Sequence, residues 1–470
     1  MLSGPLLLIG LPLIAAPVVY ATRRWSLLSA ALAAGSSLAL GLACLRLPLD
    51  APGVFLGLSV QLGQPVVILG RELALQPAGA AGLGFMFLLG AVVFFLDWCI
   101  PQGRLFSSVG LVFLSMISAN VMIRHLLFAV LTLWLAVIVA AFTIQEDRYD
   151  SVRGALRYVT MHTLAVPPFV ITSWLLDLYT ENPDNMAPLR TFAILLTLGL
   201  SILLAVIPFQ GWVTAVAKDA PPLGSALIFS VENVAVFLLL TDLMLRYPWL
   251  LDDPLLFQVL TWGGLLTTAL GGLMALVQQD FGHLLGYGVL ADMGGMFMAL
   301  ATGSDLGMSV GLTLIAFRAV SLIVIGTGLS LIRKQASSDG FAELSGTARR
   351  QPLATTALIL GGLSLAGLPP LAGFAGRWAL LDFFVPAHTN WCWLVFLSGC
   401  GVAIGYLRGL RAMLAYPSEE AENKRAHSEP LPAAVVIGIL LISAMALAFN
   451  PQPVFSFTAR FISTLVLFLP

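Results

Sequence analysis

The stretch SILLAVIPFQGWVTAVAKDAPPLGSALIFSVENVAVF, residues 201 to 237, decides the fold. It opens as an apolar helix, meets Pro208 in mid-segment, and makes a short polar excursion through Lys218 that closes at Pro221-Pro222. It then returns to an apolar run that carries Glu232. Proline removes a backbone donor and clashes with the preceding turn, so a helix should open there. At membrane depth such an opening survives only if it is buried in protein or lines a wet cavity. A second interruption, LSLAGLPPLAGFAGRWALL at 363 to 381, breaks at Pro369-Pro370. Both fall in the fourth span of a five-span group, the groups running 106 to 245 and 254 to 410. Five is odd, so the second group is inverted relative to the first. Matched breaks in two inverted halves point to an ion or substrate route.

Composition places those spans in a bilayer. The chain has 470 residues, 59% hydrophobic and 10% charged, against about 25% charged in a typical soluble domain, and its mean hydropathy is +0.95. The apolar residues suffice for about fourteen spans of the ~20 residues that cross a hydrocarbon core. A soluble enzyme with a single anchor is excluded, and a net charge of -1 excludes a polybasic nucleic-acid binder.

The apolar runs predict an all-α polytopic membrane protein with spans near 3–21, 27–45, 79–97, 106–123, 126–145, 156–177, 191–209, 223–245, 254–277, 283–302, 306–332, 353–386 (interrupted), 391–410 and 432–449. Residues 1–105 then form helices one to three with an extramembrane hairpin within 47–78, where apolar and polar residues alternate. The two five-helix repeats follow, then a loop at 411–431, and then a last helix and tail at 432–470. The end of the tail, 451–470 with Arg460 in its middle, has no assignment. Ser3 to Ala21 lacks a basic leader and reads as a retained first span. Cys44, Cys99, Cys392 and Cys400 lie in or beside apolar segments without a CxxC motif, as packing thiols do. No iron–sulfur cluster, haem or metal is expected in this chain.

Counting Lys and Arg by side gives fifteen against six, so both termini are expected outside the cytoplasm and the EEAENKRAHSE loop inside. Arg318 and Arg377 belong to neither count, because they fall deep within spans. With Glu232 and Asp292 they make a buried set whose formal charges cancel. Each such residue costs about 2.5 to 3.5 kcal/mol at the bilayer centre, which implies either a proton relay or a static ion-pair network. Asp382 is either a local partner for Arg377 or a rim residue. His283 starts the tenth span at the cytoplasmic edge. His162 lies within the sixth, where a lone histidine usually hydrogen-bonds a neighbouring helix but has the pKa of a proton shuttle. Lys218, one of three lysines in the chain, reads as a positive-inside anchor.

Three stretches, 207–237, 280–295 (DFGHLLGYGVLADMGG) and 363–381, resemble the antiporter-like membrane subunits of respiratory complex I, a family shared with membrane-bound hydrogenases and Mrp-type antiporters. The resemblance covers nearly the whole chain. It implies proton translocation coupled to a redox module, along a row of charges in helices five, seven, eight and twelve. The twelfth-helix position falls on Arg377 and the eighth on Asn233, with Glu232 beside it. The seventh falls on Leu203 and the fifth on Leu133 or Trp134, so two of the four family positions are apolar. The resemblance therefore implies one of two roles: a membrane-arm subunit with a modified route through Glu232, Asp292, His283 and waters, or a non-pumping scaffold. A cation/proton antiporter or an inorganic-carbon uptake subunit is a further alternative. This chain would be a translocase subunit without a redox centre of its own. FMN, iron–sulfur clusters and quinone would belong to partner subunits, among them further antiporter-like subunits and a peripheral redox module. The expected location is the inner membrane of a bacterium.

Overall fold

The computed structural model describes residues 2–55, 57–68, 70–145, 152–181, 187–336, 338–415 and 431–466. The expected loop at 411–431, with its EEAENKRAHSE stretch, lies mostly outside these residues.

Helices α1 (Gly4–Ala21), α2 (Ser26–Arg46) and α3 (Pro77–Cys99) form the N-terminal group. The first repeat holds α4 (Phe106–Met122), α5 (Leu126–Ile144), α6 (Val152–Glu181), α7 (Ala187–Leu203), α8 (Gly211–Asp219) and α9 (Pro222–Arg246). The second holds α10 (Pro254–Val277), α11 (Phe281–Leu300), α12 (Asp305–Gln335), a single turn α13 (Thr347–Arg350), α14 (Pro352–Leu365), α15 (Ala372–Phe384) and α16 (Thr389–Leu414). Two helices, α17 (Leu431–Phe449) and α18 (Gln452–Val466), close the described chain. Among the described residues eleven helices are long and apolar enough to cross a membrane. The other three expected spans correspond to the shorter α4 and to the broken pairs α7/α8 and α14/α15.

The expected hairpin region resolves into two. Strand β3 (Leu58–Gln61) pairs antiparallel with β2 (Gly53–Phe55) and parallel with β1 (Leu2–Ser3), while β4 (Val66–Ile68) pairs antiparallel with β5 (Arg71–Leu73). Within the unassigned tail, Gln452–Val466 form α18. It packs on α12 and α3, with Thr458 Oγ1 3.0 Å from Thr313 Oγ1 and the Phe455 ring 6.0 Å from that of Phe317.

Both breaks end their helix earlier than the prolines alone predict. The seventh span stops at Leu203, five residues before Pro208, and the twelfth at Leu365, four before Pro369. In each case the second residue past the end turns left-handed: Ala205 at φ 54° and Gly367 at φ 77°. A left-handed residue just beyond a helix end is a standard way to stop it. Glycine adopts that conformation freely and alanine does so at a cost. Helix ends and left-handed residues thus give the two breaks one common register, which supports the repeat even though the residues themselves are little alike.

Lipid tails are as apolar as leucine, so helices in a bilayer associate through close packing and hydrogen bonds and gain little from hydrophobic burial. Helix α10 shows how. A Cβ at Gly294 of α11 would meet the Gly264 carbonyl oxygen of α10 at 2.5 Å, and one at Gly271 would meet the Ala291 backbone nitrogen at 2.5 Å. On the other side of α10, Ser398 Oγ of α16 donates to the Thr268 carbonyl at 2.8 Å. Helix α9 is enclosed along its whole apolar length, whereas α17 is little buried. Glu232 therefore lies on the most enclosed helix of the bundle.

Gly294→Val must push α10 and α11 apart. Overpacking of this kind costs about 1–3 kcal/mol, so the variant should unfold in mild detergent several degrees below the wild type, read by intrinsic fluorescence. An unchanged midpoint would mean that the two helices are not held at this distance.

Candidate functional site

The buried charges fall into two clusters. In the second repeat, Asp292 projects from the middle of α11 and Arg318 from the middle of α12. Arg318 Nη1 donates to Asp292 Oδ2 at 3.3 Å. Arg377, on α15 just past the break, brings Nη2 to 3.9 Å from Asp292 Oδ1. That is an ion-pair distance, too long for a hydrogen bond. Its hydrogen bonds run to the carbonyls of Leu365 at 3.3 Å and Val395 at 3.4 Å. Leu365 is the last residue of α14, where carbonyls have lost their helical partners and the helix dipole is negative. The break thus supplies the acceptor that holds the guanidinium.

Ser364 Oγ accepts from the Gly373 backbone at 2.9 Å and bonds Ser321 Oγ at 2.8 Å, tying both half-helices to α12. Arginine does not deprotonate in proteins. Two guanidiniums on one carboxylate therefore leave this cluster with a net positive charge when Asp292 is ionised. Asp382 is exposed at the rim, and Arg377 turns to Asp292 instead.

In the first repeat, Glu232 is buried among aromatic rings. Its Oε2 accepts from the Tyr158 hydroxyl at 2.9 Å, and its Oε1 meets His162 Nε2. The other imidazole nitrogen, Nδ1, bonds the Tyr158 carbonyl at 2.8 Å. Tyr158 and His162 are four residues apart on α6 and so share one face. The Trp212 ring of α8 packs 4.9 Å from His162 and 5.4 Å from Tyr158. Asn233, next to Glu232, is turned back on its own helix and donates to the Phe229 carbonyl at 2.5 Å. The four intramembrane charges, a set whose formal charges cancel, therefore divide between two clusters. Glu232 takes His162, and Asp292 takes both arginines.

A third cluster lies where α8 ends, α11 begins and α12 ends. Lys218 Nζ donates to Asp339 at 2.6 Å and to Asp280 at 3.0 Å. Arg333 Nη2 reaches the other Asp339 oxygen at 2.6 Å, and its Nη1 caps the Ala220 carbonyl at 2.9 Å. Asp280 caps α11, accepting from the His283 backbone at 2.9 Å and holding the His283 ring at 2.8 Å. Lys218 is thus a bridge from the first repeat to the second, a larger role than the anchor expected. Asp219 accepts from the Gly154 backbone at 2.8 Å, which fixes the start of α6 to the same point. Beside the cluster lies a cavity of about 250 Å³ lined by Gln102, Asp219, Pro221, Ser330, Arg333 and Lys334 among others. Burial raises the proton affinity of Asp280 and Asp339. At Asp280 the His283 hydrogen bonds, with the charges of His283 and Lys218, outweigh it and hold the carboxyl below its usual range. At Asp339 the charges of Arg333 and Lys218 do the same.

Sequence reasoning missed Tyr158, Trp212, Arg333, Asp280 and Asp339. Asp280 carried a visible signal, an aspartate directly before an apolar run, as at a helix N-cap. The others become legible only when helices far apart in the chain come together. Among the described residues the cysteines are free.

A family model described as "NADH:quinone oxidoreductase/Mrp antiporter, TM" matches residues 171–405. The chain is 30% identical over 264 residues to the protein named NADH-quinone oxidoreductase subunit N of Chromohalobacter salexigens, a match covering 55% of each. It spans about half the length of the curated relatives it matches. In fold it is similar to a chain of the archaeal membrane-bound sulfane sulfur reductase, with TM-score 0.79 and 18% identity over 98% of this chain and 97% of that one. A chain of respiratory complex I from Thermus thermophilus gives TM-score 0.70 and 22% identity over 97% and 99%.

The pH dependence of the third cluster has a definite sign. Carboxyls whose folded pKa is depressed stabilise the fold fully above their unfolded value, near 4, and lose that contribution as pH falls through the folded value. The thermal midpoint of the purified protein should therefore drop as the pH falls below about 4. Asp339→Asn should lower the midpoint at neutral pH, by the equivalent of about 3 kcal/mol for a broken buried pair, and should flatten the acid limb. An unaltered acid limb in the variant would remove Asp339 from this role.

Proposed function

We infer that this chain, which belongs to the NADH:quinone oxidoreductase/Mrp antiporter transmembrane family, is a membrane-arm subunit of a redox-driven, proton-translocating complex and couples protons through its buried charges. One observation carries the reading: Arg377 is suspended between a half-helix carbonyl end and Asp292. An expensive intramembrane charge placed at a helix break is what an ion route requires. One neutral donor would satisfy the opened carbonyl, so two arginines on one aspartate exceed what a purely structural bundle needs.

The partners are other membrane subunits, including antiporter-like ones, and a peripheral module that holds FMN, iron–sulfur clusters and the quinone site. The membrane is a bacterial inner membrane with both termini outside. This orientation sets the Lys218–Asp339 cluster and its cavity on the cytoplasmic side and makes them the intake end. The scaffold reading keeps one specific support: Leu203 and Leu133, at the seventh- and fifth-helix positions of the family row, are buried as ordinary packing residues.

The two readings separate in proteoliposomes that contain the whole complex. Asp292→Asn combined with Arg318→Gln removes one charge of each sign and keeps the cluster's balance. Under the translocation reading the double variant assembles and transfers electrons while its proton yield per electron falls. An intact proton yield in an assembled double variant would leave only the scaffold.

A further inference from the structure

Helices α9 and α12 run antiparallel, and two contacts fix their register. At Gly326 of α12 an added Cβ would lie 3.0 Å from the Leu223 side chain of α9 and 3.1 Å from the Pro222 carbonyl oxygen. Further along, Val234 of α9 lines an apolar pocket with Leu312, Ile315 and Ala316 of α12. At the helical rise per residue, Ser230 is about 10 Å beyond Leu223 on α9, and Arg318 is about 12 Å before Gly326 on α12. The two residues are therefore level. Leu223, Ser230 and Val234 follow the i, i+7, i+11 spacing of a single helix face, so Ser230 is turned toward α12. Glu232 is turned away, and both its oxygens go to α6.

Both facing residues are short of acceptors. The side chains of Arg318 and Ser230 are wholly enclosed. Asp292 engages only Nη1 of Arg318. Among the described residues, Nε and Nη2 of Arg318 and Oγ of Ser230 have no hydrogen-bond partner. Nε and Nη2 form one edge of the guanidinium, the fork with which arginine takes an anion side-on. Leaving a buried charged donor unpaired is costly. The cluster also carries one positive charge more than Asp292 balances, because Arg377 pairs with the same carboxylate.

We propose that a small monovalent anion, of which chloride is the abundant example, binds between α9 and α12 on the Nε–Nη2 edge of Arg318 and the hydroxyl of Ser230. Such an ion answers three donors at once and brings the charge of the cluster to zero. A water molecule answers them less well. It has two hydrogens of its own to place, and neither guanidinium nitrogen accepts. An alkali cation would meet donors and a like charge. The anion is a fixed counter-ion, so the proposal goes beyond the translocation reading and does not rest on it.

The test needs no turnover. The full chain is purified in mild detergent with gluconate as the only anion, then melted in rising chloride or bromide at constant ionic strength. The wild-type midpoint should climb with halide and level off as the site fills, while the gluconate series stays flat. Ser230→Ala keeps the arginine and removes one donor, so its half-saturating halide concentration should be about tenfold higher. Crystals grown in bromide should show an anomalous peak within hydrogen-bonding reach of Arg318 Nε and Ser230 Oγ. A midpoint indifferent to halide, a Ser230→Ala curve that overlays the wild type, or a bromide map without that peak would overturn the site and leave the arginine edge to water. Proton transfer enters none of these measurements, so the translocation reading stands or falls separately.

Discussion

A helix opened inside a bilayer leaves carbonyls with no water to solvate them, and the second repeat is organised by how that debt is met. At the end of α14 the Leu365 carbonyl accepts from Arg377, and Ser364 accepts from the first turn of α15. An apolar side chain there would leave the break unsatisfied, at several kcal/mol for each such group in hydrocarbon. An arginine satisfies it but brings a charge that itself needs a partner. Asp292 is that partner, and Arg318 shares it. The break, the charge and the ion pair are successive consequences of one opened turn.

The first repeat meets the same problem differently. Its break follows the same register, from Leu203 through Ala205, yet the position that matches Arg377 is Ala215. Instead of a charge beside the break, this half places an acid and an imidazole one helix away on either side, Glu232 on α9 and His162 on α6. The two repeats therefore share a backbone device without sharing its electrostatics. The reason is visible in the packing. Helix α8 turns Trp212 toward His162 and Tyr158 and sends Lys218 outward to Asp280 and Asp339, so its basic residue serves the junction between the repeats.

Much of the fold was legible in the chain because lipid imposes simple rules. Continuous apolar runs must be helices, so the spans expected at 223–245 and 254–277 agree with α9 and α10 to within a residue or so. The breaks were legible at their prolines, although the turn that ends each helix lies several residues earlier, at a left-handed residue that no pattern marks in Ala205. Glu232, Asp292, Arg318 and Arg377 stood out because charge in an apolar run is costly. Which of them would meet did not follow from that cost. A sum over four charges gives zero for any pairing, and only the packing of α6 against α8 and α9 assigns His162 to Glu232. Tyr158 was hidden for the same reason, since a tyrosine near the end of a span is unremarkable until a carboxylate from another helix reaches its hydroxyl.

The two clusters differ in the kind of charge they hold. Arg318 and Arg377 hold permanent charge, because no accessible pH removes a proton from a guanidinium. Asp292 neutralises one of them. A fixed positive centre lowers the cost of a transient negative one, and it does so more strongly where protein excludes water, as around the enclosed α9. Arg377 is held at a helix end by hydrogen bonds of 3.3 and 3.4 Å, whereas the bonds of Lys218 and Arg333 to the buried Asp339 are 2.6 Å long. The fold thus joins its two repeats through a short-bonded junction around Asp339 and gathers its two permanent intramembrane charges on Asp292.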